Sequence, residues 1–129
     1  MAWLCLDTHV SGRTVLGLLG PLGWLQYQEI EGRAHHVLTT WAQLHTDHVQ
    51  EIQGVCVVEG PGSFSAIRIG VLYANLYARL RHLPLVPIGP SCFVDPALLF
   101  RALNDRTYPV STYVAPLYDQ EPNITIPRA

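Results

Sequence analysis

The chain has 129 residues, 49% hydrophobic and only 14% charged, with a formal net charge of −2 and no lysine. That length fits one domain with one core. It hides roughly two-thirds of the unfolded chain's surface, so no metal or disulfide is needed to supplement the core. The missing lysine excludes a P-loop ATPase, and no basic run exists to grip a phosphate backbone unaided.

In chain order, Ala2 to Leu6 is a short apolar run ending at Asp7-Thr8, the pattern of a buried strand. Its start lacks a basic n-region and reaches an acid at Asp7, which predicts neither a signal peptide nor a membrane span and a cytoplasmic protein. Arg13 to Leu19 is a second strand. Gly20-Pro21-Leu22-Gly23 is turn chemistry, and Trp24 to Ile30 alternates as a third strand. Three strands joined by short turns predict an antiparallel meander.

The period then changes. From His35 to about Thr46, Val37, Leu38, Trp41, Leu44 and His45 recur at three and four residues, predicting an amphipathic helix. Gly54 to Val58 is wholly apolar, as in a strand covered on both faces. Ser63, after Gly60-Pro61-Gly62, is a good N-cap for a long helix to about His82. Leu83 to Ile88 predicts another strand. Asp95-Pro96 sets a cap and N1 proline before a short helix, Ala97 to Leu103. From Thr107 the chain is Pro-rich, with one strand candidate, Ser111 to Ala115.

The order β-β-β-α-β-α-β-α predicts an α/β fold, a mixed sheet of about five strands with about three helices on its faces. This is the arrangement of the ribonuclease H-like lobe shared by actin-like ATPases and many nucleases. Residues 1–106 would form that lobe, and 107–129 a Pro-rich tail packed on it or extending from it. Cys5, Cys56 and Cys92 are an odd number without CxxC spacing, which predicts reduced, structural thiols.

The long helix has one apolar stripe too many. At about 100° per residue, Phe64, Ile67, Val71, Ala74 and Ala78 share one stripe. Ile69, Leu72, Leu76 and Leu80, extended by Tyr73 and Tyr77, form another nearly opposite, with Arg68, Asn75 and Arg79 between. A helix lying on one sheet needs a single stripe. Left in water, the second would forgo on the order of 1.5–3 kcal/mol per large side chain. The helix is therefore expected to dock a partner, with Leu38 and Trp41 of the preceding helix contributing. Sequence alone leaves open which stripe faces outward.

Gly60, Pro61, Gly62, Ser63, Phe64 and Arg68 belong to GPGSFSAIRIG, residues 60 to 70, the most specific segment of the chain. A strand running into this loop and a long helix resembles the signature of the TsaB (YeaZ-like) family. Leu6-Asp7-Thr8 is similar to that family's opening, and Arg33 with His35 to its R-x-H. The likeness continues through Pro84 to Ile88 with Ser91, and through Ala115-Pro116-Leu117-Tyr118 and Glu121-Pro122-Asn123 at the tail.

The resemblance implies an actin-like lobe with no catalytic residues, cofactor or metal of its own. It implies pairing through the central helices with a catalytic subunit, TsaD, which would carry ATP or ADP. With TsaE, that assembly places threonylcarbamoyl on the tRNA adenosine beside the anticodon (the t6A modification), so tRNA would be met only indirectly. Two departures stand out. Family members carry a second lobe before the tail, whereas about twenty-five residues separate Ile88 from the tail motif here. His36 and Val37 replace the family's serine and acid.

Two rivals remain. One is a homodimeric actin-like interaction module with another regulatory role. The other is a metal-dependent nuclease using Asp7 and Glu59, at the ends of strands that would be neighbours; such sites need a third or fourth carboxylate. Asp47, Glu51 and Asp95 have no clear placement for that role. The histidine pairs His35-His36 and His45/His48 lack a third ligand at metal-like spacing, and GPGSF is not the G-x-S-x-G elbow of hydrolases.

Overall fold

The computed structural model describes residues 2–32, 52–62 and 64–117. The expected first helix, with Leu38 and Trp41, lies outside these residues, as do Ser63 and the tail from Tyr118. The described elements are β1 (Ala2–Asp7), β2 (Arg13–Gly20), β3 (Gly23–Glu31), β4 (Ile52–Val58), α1 (Phe64–Arg81), β5 (Leu85–Ile88), a 3-10 turn (Pro90–Val94) and α2 (Pro96–Asn104).

They build a five-stranded mixed sheet in the order β3-β2-β1-β4-β5. The meander is antiparallel, whereas β1 pairs with β4, and β4 with β5, in parallel. All six residues of β1 are buried, because this strand has neighbours at both edges and helices over both faces. Alternate residues serve opposite layers. Leu4 and Leu6 join Leu16, Leu18, Val55 and Val57 beneath α1. Trp3 and Cys5 join Leu19, Cys56, Val58 and Val86 beneath Leu99 and Leu103 of α2.

Several boundaries move for local reasons. β5 starts at Leu85 rather than Leu83, because the Leu83 amide turns back to Ala78 O (2.9 Å) to finish α1. The 3-10 turn at Pro90–Val94 was not foreseen. Asp95 caps α2 as expected, its carboxylate accepting from the Leu98 amide at 3.2 Å. The expected strand Ser111 to Ala115 is reduced to one antiparallel bridge, Ser111 with Leu85. The Val114 main chain is engaged elsewhere, by Asn75. No helix among the described residues is long and apolar enough to cross a membrane.

Candidate functional site

The two stripes of α1 have separate fates. Ile67, Val71, Ala74 and Ala78 lie in the core, and the helix packs chiefly on β4 with further contacts to β1 and β5. The sequence offered both stripes as partner-facing candidates, and burial assigns Val71, Ala74 and Ala78 to the sheet. They are small enough to let the helix axis approach the sheet, and the sheet claims them. Opposite them, Leu72 is 54% exposed, Leu76 48% and Leu80 77%. Ile69 is half-buried, and Tyr73 and Tyr77 are partly buried against the core cluster at its margin. Burial pushes the Tyr77 phenol above its ordinary range, partly opposed by the Arg81 guanidinium, which sits 5.6 Å from the ring centre.

At the N-terminal end of α1, the loop after β4 is held from two sides. Gly60 has φ 120° and is buried; a Cβ there would strike the Leu117 carbonyl, so only glycine suits it. The Gly60–Pro61 peptide is cis. Gly62 is buried against the His9 main chain, whose carbonyl would lie 2.5 Å from a Cβ. Pro61 is exposed, as is Arg68 one turn into the helix, and Phe64 opens α1. The loop is thus locked into the lobe by its glycines.

The segment from Ser111 to Leu117 forms a strap beside α1. The Ser111 amide donates to Leu85 O (2.7 Å) and the Leu117 amide to Glu59 O (2.7 Å). Between these anchors, Asn75 Nδ2 donates to Val114 O and Asn75 Oδ1 accepts from the Val114 amide, both at 2.8 Å. Strap and helix enclose a groove of about 570 Å³, lined by Ser65, Arg68, Ile69, Leu72, Tyr113 and Pro116, with Asn75 among them. Sequence reasoning missed Tyr113, Val114 and this use of Asn75. The available signal was an uncharged amide set between two apolar stripes, a group that requires partners when half-buried.

The acids at the strand ends are arranged differently from a metal site. Asp7 is 6% exposed, and its Oδ1 accepts from the His9 amide (2.9 Å) and meets His9 Nδ1 (2.5 Å). Glu59 follows β4, its main chain bonded to Ile88 and Leu117. Among the described residues, no three His, Cys, Asp or Glu side chains gather where they could hold one metal ion. His35, His36, His45 and His48 lie outside the described residues.

With this geometry in place, the comparisons are specific about fold. The model of the TsaD family, tRNA N6-adenosine threonylcarbamoyltransferase, matches residues 37–92. No curated protein matches the chain. YeaZ from Pseudomonas aeruginosa has 18% identity and a TM-score of 0.62, over 83% of this chain and 52% of that one. A second structure from P. aeruginosa, an uncharacterised protein with similarity to peptidase YeaZ, gives 21% identity and 0.59, over 82% and 49%. RuvC from T. thermophilus, in complex with a Holliday junction substrate, gives 15% and 0.53, over 79% and 77%.

The molecule therefore has an α/β fold with a mixed five-stranded sheet. That fold is similar to YeaZ, and the chain spans about half the length of the YeaZ structures it matches.

Proposed function

We propose that this chain is a non-catalytic binding subunit of the TsaB type, which docks a TsaD-family protein in t6A modification of tRNA. The observation that carries the proposal is the outward stripe of α1. Leu72, Leu76 and Leu80 stand uncovered on a helix whose opposite side already satisfies the sheet. Removing such side chains from water on association would contribute on the order of 1.5–3 kcal/mol each. The TsaD model's match to residues 37–92, which include this helix, supports the same reading. In it the nucleotide belongs to the partner, and the Gly60–Gly62 loop only fixes where α1 begins.

The experiment is co-expression with TsaD from the same genome, followed by size-exclusion chromatography with light scattering. A 1:1 complex that Leu76→Glu abolishes without changing the chain's melting curve is the expected result. Separate elution of two well-folded proteins would overturn the proposal. Magnesium-dependent cleavage of a branched DNA, abolished by Asp7→Asn, would put a nuclease in its place.

A further inference from the structure

The cover on the sheet's other face, opposite α1, also shows apolar side chains to water. Leu99 and Leu103 of α2 are buried against the strands. Val94, at the end of the 3-10 turn, is 85% exposed, and Leu98, four residues on, is 58% exposed. Ala102, four residues further, is half-buried. That spacing puts the three on one stripe, beside the buried one. All three border a hollow of about 240 Å³, which Cys92 and Tyr108 also line.

The charges around this stripe limit what can lie on it. Asp95, whose carboxylate caps α2, and Arg101 are both exposed, and each stands three residues from Leu98, on opposite sides. A parallel copy of α2 would set Asp95 against Asp95 and Arg101 against Arg101, and facing like charges select against that pairing. An antiparallel copy centred on Leu98 reverses the outcome. At about 1.5 Å per residue, Asp95 of each chain comes level with Arg101 of the other, and Val94 with Ala102. Asp105 and Arg106 fall level with the uncharged Ser91 and Pro90. No like charges meet.

We propose that the 3-10 turn and α2 form a second interaction surface, on which another copy of this chain lies antiparallel about a two-fold axis at Leu98. Leu98 packs on its equivalent, Val94 of each copy enters the hollow beside Ala102 of the other, and two Asp95–Arg101 pairs close the ends. The 3-10 turn has 5 residues and α2 has 9. A standard interface uses roughly 20–30 residues a side, so this dimer is weak and dissociates on the order of tens of micromolar. It uses the opposite face of the sheet from α1, so it stands apart from the TsaD reading and leaves α1 open.

Sedimentation equilibrium from about 5 to about 500 µM tests it. Wild type should pass from monomer to dimer across that range, L98E should stay monomeric, and L76E should dimerise as wild type does. Wild type monomeric throughout, or dimerisation lost in L76E but kept in L98E, overturns the inference. The charge register has its own readout, and Asp95 is left unaltered because it caps α2. R101E should weaken association about tenfold in 50 mM salt; raising salt to 500 mM should weaken the wild-type dimer and strengthen that of R101E. Salt responses of the same sign overturn the antiparallel pairing. Mild oxidation of C92S/L98C should give a covalent dimer joined at position 98 of both chains, while C92S/L22C, altered at the exposed hairpin tip, should not. No such link, in a variant whose melting curve matches wild type, overturns the axis at Leu98.

Discussion

Asn75 pairs with Val114 as one strand pairs with the next: its side-chain amide both donates to and accepts from the Val114 main chain, at 2.8 Å each way. The same Nδ2 also reaches Val71 O (2.9 Å), one turn back on α1. A single side chain thus fastens the strap to the helix that offers the candidate docking surface.

Asn75→Ala should release the strap. It leaves a half-buried amide and carbonyl without partners, which costs about 1–3 kcal/mol. Urea melts should show that loss. Limited proteolysis should show faster cutting between Thr107 and Leu117 while the sheet stays intact. A protease pattern identical to wild type would mean that the Leu85 and Glu59 anchors suffice.

The two sides of α1 should respond oppositely to one substitution. Ala74→Glu would bury a carboxylate against the sheet and cost upwards of about 3 kcal/mol, enough to unfold a modestly stable lobe. Leu76→Glu, on the surface, should stay within about 0.5 kcal/mol of wild type. Circular dichroism melts of the two variants check the orientation of the helix.

The thiols should separate by burial. Cys5 and Cys56 face each other across β1 and β4 and are fully buried, and burial pushes the Cys56 thiol well above its ordinary range, with Cys5 adding to the shift. Cys92 is half-buried, its Sγ 3.5 Å from the Tyr108 hydroxyl. A thiol reagent at pH 8 should modify Cys92 alone in the native protein and all three after denaturation. Peptide mapping reads the result.

On the exposed face of the meander, hydrogen bonds from Tyr27 and then Arg13 hold the Glu29 carboxyl below its ordinary range. A depressed carboxyl lends stability above its unfolded value of 4.5 and loses it as pH falls through the lower folded value. Glu29→Gln should therefore lower the melting temperature slightly at pH 7 and leave it equal to wild type well below pH 4. Because the group is fully exposed, salt should shrink the difference at neutral pH.

The strands, the long helix and the capped α2 were legible because their signals are local: apolar runs, period changes and Asp95 before Pro96. The two stripes of α1 were legible as well, but their orientation was not. Periodicity records that Ala74 and Leu76 lie on different sides, not which side meets the sheet. Residue size decided it, since the alanines permit close packing and the leucines do not. The strap was hidden because it rests on main-chain groups and one amide, which no hydrophobic pattern records. Asp7 and Glu59 were correctly placed at strand ends, yet spacing gave no sign that His9 would engage Asp7.

The position of β1 in the sheet has a consequence for synthesis. Its first partner, β2, follows at once, but its second, β4, begins only at Ile52. The nascent meander leaves the ribosome with a strand that is apolar from Ala2 to Leu6 open along an edge, the condition under which unpaired strands recruit one another. Cells making this protein should accumulate it in soluble form more readily when translation through the stretch between Glu31 and Ile52 is fast, because that interval sets how long the edge waits.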